Sequence, residues 1–175
     1  MEQGIPLRLL LPAGVEAVIE AAAALALLLY FYIYHVFRTS QERAGLVNEL
    51  RAAGQLTDER EYRQLYAAYL NTDGKEKQAI AVINEGLQKG VLKGDFQTYL
   101  ALAQSYYFTD QPTQAIDAYR KAAPLAPNGE AYLNLARLLW QEDRIPEAKE
   151  AARQAQAKGV KNAADVKKIL ALPSK

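Results

Sequence analysis

Side chains that could do chemistry are few in this 175-residue chain, and their types limit what it could catalyse. There is no cysteine, which excludes disulfides, thiolate zinc sites and cysteine nucleophiles. The single histidine, His35, excludes a multi-histidine metal site. Glu142 and Asp143 form an acidic pair, but they fall in a predicted turn, where carboxylates are most simply solvated. We find no nucleophile elbow, phosphate loop or metal-ligand spacing, and therefore expect no enzyme activity, no cofactor and no metal.

Charge is balanced over the whole chain but unevenly distributed along it. Lys and Arg number 21 against 20 Asp and Glu, so the net charge is +1 and gives no electrostatic footprint for nucleic acid. Residues 21–34 contain no charge, whereas charged residues recur every few positions from Thr39 onward. The main break in the organisation of the chain is therefore expected near residues 38–40.

An apolar run precedes that break, and its length is that of a membrane span. Residues 17–36, "AVIEAAAALALLLYFYIYHV", supply the roughly 20 predominantly apolar residues that a span requires. The end of this run, "YFYIYHVFR" at residues 30–38, suits a membrane–water interface, where tyrosine and arginine are favoured. A helix that is apolar on all faces needs burial on all faces. The sequence thus predicts a transmembrane helix over residues 15–38, with insertion into an apolar groove of a partner as the alternative.

Two carboxylates, Glu16 and Glu20, lie one turn apart at the start of this predicted helix and share one face. One interpretation is that this face packs against helices of other subunits, since lipid-facing carboxylates are costly. The other is that both residues simply sit at the interface, and a proton-coupled role for Glu20 is a third. The predicted partner-helix packing stripe consists of Glu16, Glu20, Ala23, Leu27, Tyr30 and Tyr34.

The basic residues that flank the predicted span indicate its orientation. Arg8 alone precedes it, whereas Arg38, Arg43 and Arg51 follow it. The positive-inside rule then favours a cytoplasmic location for the rest of the chain.

A repeated pattern of small residues occupies the chain from Thr57 to its end. Each unit has an apolar helix pattern, a polar turn and a second helix pattern, and the two helices carry small residues twelve positions apart. These pairs are Ala67 and Ala79, Ala103 and Ala115, and Ala136 and Ala148. A fixed offset between small side chains predicts that the paired helices cross at one close contact.

These units resemble the tetratricopeptide repeat, whose period is about 34 residues. The second-helix alanines are 36 and then 33 residues apart. Large residues follow the first-helix alanines three positions later, as Leu70, Tyr106 and Leu139. The resemblance covers residues 58–160 and implies a solenoid of paired helices. Residues 161–175 then read as a capping helix that starts after Asn162, because repeat arrays end in an element with a polar outer face.

The resemblance also implies a peptide-binding surface, because arrays of this family bind peptides on the concave face formed by their first helices. Amides, one guanidinium and two aromatic rings could bind an extended peptide there by hydrogen bonds and stacking. Alternatively, Tyr107 and Trp140 seal the interfaces between repeats. The matching positions in this chain are Gln64, Asn71, Gln104, Tyr107, Arg137 and Trp140.

A second resemblance concerns the context in which the protein works. Residues 90–170 look like the C-terminal repeats of bacterial proteins associated with TonB-dependent transport systems, which join a Gly-Glu-x-Tyr-Leu-x-Leu-Ala helix to a lysine–glycine turn. The implied partner is an energy-coupled machine of the bacterial inner membrane. This resemblance favours a periplasmic repeat domain, against the basic-residue count.

Taken together, the sequence predicts an all-α protein with a single transmembrane helix before a solenoid of three helix pairs and a C-terminal cap. The predicted segments are a tail (1–14), the span (15–38), a connecting amphipathic helix (39–57), three repeats (58–160) and the cap (161–175). The predicted function is a scaffold or accessory subunit of a complex in the bacterial inner membrane, with other subunits and the lipid bilayer as partners. The alternative is a soluble peptide-binding adaptor whose N-terminal helix packs in a partner groove.

Overall fold

Helices are the only regular elements in residues 15–54 and 56–173, the ranges that the computed structural model describes. The predicted tail, residues 1–14, lies outside these ranges. The chain divides into two compact units, one ending at Leu46 and the other beginning at Val47. The helices are α1 (Val15–Ala52), α2 (Glu59–Leu70), α3 (Glu76–Gln88), α4 (Phe96–Phe108), α5 (Pro112–Leu125), α6 (Glu130–Gln141), α7 (Ile145–Lys158) and α8 (Ala163–Leu170).

Small residues bring the helices of the second unit together in pairs, α2 with α3, α4 with α5 and α6 with α7. Ala103 on α4 and Ala115 on α5 have no exposed surface, and neither have Ala136 on α6 and Ala148 on α7. In the first pair Ala79 is fully buried, whereas Ala67 remains partly exposed. An absent side chain beyond Cβ lets the backbones approach, so larger side chains fill the spaces on either side. The predicted all-α repeat solenoid is confirmed.

The turn within each pair has a residue in the left-handed backbone region at the same repeat position. Gly74, Asp110 and Asp143 have φ values of 74°, 57° and 55°. Glycine adopts this region freely, and aspartate is among the few other residues that tolerate it. After the second turn Pro112 is the first residue of α5, where its missing N–H is not needed.

Side-chain caps start several helices, among them α8, where the sequence predicts the cap at Asn162. Asp58 caps α2 by accepting from the backbone N–H groups of Arg60 and Glu61, and Asn162 caps α8 by accepting from the N–H of Asp165. Asp95 caps α4 through the N–H of Thr98, and its other oxygen accepts from Arg63 Nη2 on α2 at 2.7 Å. The start of α4 is therefore tied to α2.

A second polar cluster joins the last turn of α1 to the first repeat. Glu85 on α3 accepts from Arg51 Nε at 2.6 Å, from Tyr62 Oη at 2.8 Å and from Lys89 Nζ at 2.8 Å. Partial burial raises the pKa of the Glu85 carboxyl, but the three hydrogen bonds outweigh it and lower the pKa to about 2. Glu85 is therefore ionised at neutral pH and stabilises this junction.

The predicted transmembrane helix over residues 15–38 is wrong. In the two ranges that the structure describes, no helix is both long and apolar enough to cross a membrane. The helix α1 is long, but between Glu20 and Arg38 the sequence has only 17 uncharged residues, and these include three tyrosine hydroxyls and the imidazole of His35. That is short of the roughly 20 apolar residues that a span requires.

The helix α1 also continues through the predicted break near residues 38–40 and includes most of the separate connecting helix expected at residues 39–57. Its sequence has no proline, and its one glycine, Gly45, does not end it. Gly54, which has a φ of 70°, follows its last turn. Arg38 and Glu42 pair one turn apart, with Nε 2.9 Å from Oε1, and support the helix where the sequence becomes charged.

The turn geometry predicts that Asp110→Gly stabilises the protein by about 0.5 kcal/mol. Glycine relieves the strain of a left-handed aspartate but adds freedom to the unfolded chain, so the net gain is modest. The matched change, Gly74→Ala, should instead cost about 1 kcal/mol because it imposes a side chain at positive φ. Urea unfolding of both variants measures the two effects, and the same sign for both would contradict this explanation of the turns.

The lowered pKa of Glu85 predicts a pH-dependent effect of Glu85→Gln. At neutral pH we expect the variant to lose about 1–2 kcal/mol of unfolding free energy, because three donors lose an ionised acceptor. Since the folded pKa lies below the unfolded one, the stabilisation by Glu85 is complete above about pH 4.5 and is lost as the pH falls toward 2. Urea unfolding at stepped pH should show the two proteins converging over that window. Glu49→Gln, at an exposed position of α1, is the control.

Candidate functional site

An open groove crosses α4 and α6, the first helices of two successive repeats, and α8, which follows the last repeat. It is called the concave groove below. It consists of two depressions of about 240 Å³ and 430 Å³, which share the lining residues Arg137 and Gln141 and therefore lie side by side. The first is also lined by Gln104, Tyr107, Phe108, Tyr119, Asn134 and Leu138. The second is also lined by Trp140, Asp165, Lys168 and Ile169.

Aromatic rings dominate the first depression. Phe108 is 72 % exposed and Tyr107 is 46 % exposed, and their rings meet edge to face with centroids 5.7 Å apart. Tyr119 from α5 is buried beneath them, and this burial raises the pKa of its hydroxyl. The amides of Gln104 and Gln141 stand exposed beside the rings. This depression can take an apolar side chain and offer hydrogen bonds to a peptide backbone.

Charged side chains shape the second depression. Arg137 donates to Asp165 Oδ2 from Nε at 3.1 Å and from Nη2 at 2.5 Å, and to Asn134 Oδ1 from Nη1 at 3.0 Å. The ammonium of Lys168 lies 5.0 Å from the ring centroid of Trp140. Both contacts join residues 28 positions apart, so α6 and α8 run parallel. Arg137 is therefore engaged within the protein, and its role here is to hold α8 against α6.

Four of the six residues predicted for the concave face line this groove, namely Gln104, Tyr107, Arg137 and Trp140. Gln64 and Asn71 do not line either depression. Gln64 is exposed on α2, and Asn71 follows its last turn, where Nδ2 donates to the carbonyl of Ala67 at 2.9 Å.

The residues predicted to pack against a partner helix lie on α1, in the other compact unit. Ala23, Leu27 and Tyr30 are exposed. The side chains of Glu16, Glu20 and Tyr34 lie outside what the structure describes. The packing stripe therefore stays a prediction.

Several groove residues were missed by sequence reasoning, for two different reasons. Phe108 and Gln141 end the first helices of two successive repeats, 33 residues apart, so the repeat period could have identified them. Asp165 and Lys168 instead contact Arg137 and Trp140, which lie 28 residues earlier in the sequence, although α8 begins 33 residues after α6. No period in the sequence marks these two.

Metal chemistry has no support in the described part of the chain. Within residues 15–54 and 56–173, no group of three or more histidine or carboxylate side chains is arranged to hold a metal ion.

The contacts of Asp165 predict that Asp165→Asn loosens α8. The neutral amide cannot match a carboxylate as acceptor for Arg137, and it is a weaker partner for the N-terminal end of the helix dipole. Because both side chains are more than a third exposed, we expect α8 to lose only about 0.5–1 kcal/mol of local stability. This loss should appear as faster amide hydrogen exchange in residues 163–170. Glu150→Gln, which breaks an exposed pair within α7, is the control. Unchanged exchange in α8 would show that the pair does not hold this helix.

Comparisons with known proteins concern the repeat fold of the second unit. The family model of the tetratricopeptide repeat matches residues 96–128 and 129–157, which cover α4 to α7 except the last residue of α7. A crystal structure of MamA is similar in fold, with a TM-score of 0.54 and 21 % identity over 69 % of this chain and 70 % of that one. A second structure of MamA protein has a TM-score of 0.47 and 18 % identity, with coverages of 68 % and 72 %.

No curated protein matches the sequence. The link to TonB-associated proteins is not shown by these likenesses. Tetratricopeptide repeats imply protein partners and a scaffold role in general, and such folds are typically not enzymes. The chain therefore carries tetratricopeptide repeats at residues 96–128 and 129–157, and its second unit folds as a repeat solenoid.

Proposed function

We propose that this protein is a scaffold that binds an extended segment of a partner protein in the concave groove. The observation that supports this most directly is the exposure of Tyr107 and Phe108 beside a depression of about 240 Å³. Single exposed apolar residues are ordinary on protein surfaces. Two adjacent aromatic rings at the edge of a concave, amide-lined depression are typical of a site that anchors a partner side chain.

The groups around these rings suit a peptide backbone. Gln104 and Gln141 present exposed amides, each with both donor and acceptor atoms, so they can bond the N–H and C=O groups of an extended chain. Aromatic anchors supply the apolar contact area and amides the alignment, which is a common division of roles in peptide recognition.

Exposure helps to separate ligand contact from the alternative role of sealing repeat interfaces. Tyr107 keeps nearly half of its surface exposed, which favours ligand contact. Trp140 is half-buried and packs against the core, while its ring also lines the second depression, so it can serve both roles.

A second candidate function uses α1. From Leu25 to Ile33, every residue except Ala26 is a large apolar residue or a tyrosine. These eight side chains are 57–69 % exposed. This favours packing of α1 in an apolar groove of a partner, as in the alternative prediction of a peptide-binding adaptor. Partners in TonB-type machinery and a location at the bacterial inner membrane stay predictions.

A peptide library displayed on phage tests the proposed groove. We expect peptides selected on the intact chain to bind Phe108→Ala and Tyr107→Ala at least tenfold more weakly, because each variant removes an aromatic anchor, a loss of about 1.4 kcal/mol or more. Both side chains are exposed enough for the variants to fold, which circular dichroism verifies. Gln64→Ala, an exposed change on α2 outside the groove, should bind as the unmodified chain does. Equal binding to all three variants would place the site elsewhere and contradict the proposal.

A further inference from the structure

Lys168 is the one cation of the concave groove without a carboxylate partner in the described ranges. Arg137, the other basic residue that lines the groove, is paired with Asp165. No carboxylate in residues 15–54 or 56–173 lies within 4.0 Å of the Lys168 ammonium in an ion pair, and the side chain is exposed. Among the described residues, the lining therefore carries one positive charge without an ion-pair partner, at its α8 end.

Trp140 holds this charge in a defined place. The Lys168 ammonium lies 5.0 Å from the centre of the ring, within the range of a cation–π contact. A ring attracts an ammonium without neutralising it, so the three N–H donors keep their charge for a ligand. A carboxylate that reaches Lys168 would gain a charge-assisted hydrogen bond, the stronger kind of polar contact.

The two ends of the groove differ in chemistry and lie a definite distance apart. The α4 end offers the rings of Tyr107 and Phe108, and the α8 end offers Lys168. Neighbouring helices pack about 8–10 Å apart, so α4 and α8, separated by two helix steps, are roughly 20 Å apart across the groove. An extended chain advances about 3.3 Å per residue and covers this distance in about six residues.

From this charge and spacing we propose that the partner segment carries an aromatic or large aliphatic side chain for the Tyr107–Phe108 end and, about six residues away, a carboxylate for Lys168. This inference rests on the proposed function and names the chemistry of the segment that the groove binds.

A carboxylate fits this site better than a phosphate or a nucleic acid. Phosphate groups are commonly bound by the bidentate fork of arginine, and the fork of Arg137 is already occupied by Asp165. Nucleic acid needs several cations along one surface, whereas the net charge is +1 and the groove has one free ammonium in the part of the chain that the structure describes.

Synthetic peptides test this inference on the full chain. The probe is an acetylated and amidated peptide in which a phenylalanine and an aspartate are separated by five serine and alanine residues, and the comparison peptide has asparagine in place of aspartate. Fluorescence anisotropy of the labelled peptides measures binding at low salt. We expect the aspartate peptide to bind about tenfold more tightly, and a shift in the emission of Trp140, the only tryptophan, to follow its binding.

Variants assign the preference to one ammonium. Lys168→Gln should remove the preference for aspartate, and Lys168→Arg should restore most of it, because arginine keeps the charge and the ring contact. Lys161→Gln, an exposed change outside the groove lining, should leave the preference intact.

Equal affinity of the two peptides, no binding by either, or a preference that survives Lys168→Gln would overturn the inference. The proposed function would stand in all three cases if phage-selected peptides still depend on Phe108. Selected peptides that ignore Phe108 and Tyr107 would remove the proposed function itself.

Discussion

Close approach of paired helices at a small residue is the constraint on which the rest of this structure depends. Ala103 meets α5 and Ala136 meets α7 with no exposed surface on either side chain. A larger residue would separate the helices, at a typical cost of about 1–3 kcal/mol. Because successive pairs repeat this contact, α4 and α6 present their residues in register 33 positions apart. The concave groove is a consequence of that register, since it aligns Tyr107 with Trp140 across two helices.

The last helix, α8, changes the roles of the residues next to it. The last repeat of an array has no following repeat to cover one face of its first helix. Here that helix is α6, and α8 covers the face. To do so it places Asp165 on Arg137, so a guanidinium that would be a ligand group in an inner repeat becomes a structural one. It also brings Lys168 to the groove in its place. The cap therefore both ends the solenoid and sets the charge of its binding surface.

Local signals in the sequence were sufficient for the repeats but not for the groove or for α1. The alanine spacing and the capping residue Asn162 predict the helices correctly, because each acts through its own backbone or one close contact. The pairing of Arg137 with Asp165 depends on where α8 packs against α6, and the repeat spacing in the sequence does not indicate that position. The apolar and aromatic run of α1 led to a wrong prediction of a span. The apolar character of a helix indicates that its surface is to be buried, but it does not distinguish burial in lipid from burial against a protein.

Two exposed apolar surfaces of the described residues, one on α1 and one in the concave groove, differ in how well they can select a partner. Between Leu25 and Ile33 the exposed side chains of α1 are apolar or tyrosine on every face, so many helices could pack there in several registers. In the groove, polar groups flank the rings at fixed positions, with amides at Gln104 and Gln141 and an ammonium at Lys168. A ligand that fails to satisfy them leaves a desolvated polar group unpaired, which costs about 1–3 kcal/mol each time. Discrimination between partners is therefore expected from the groove, and apolar affinity from α1.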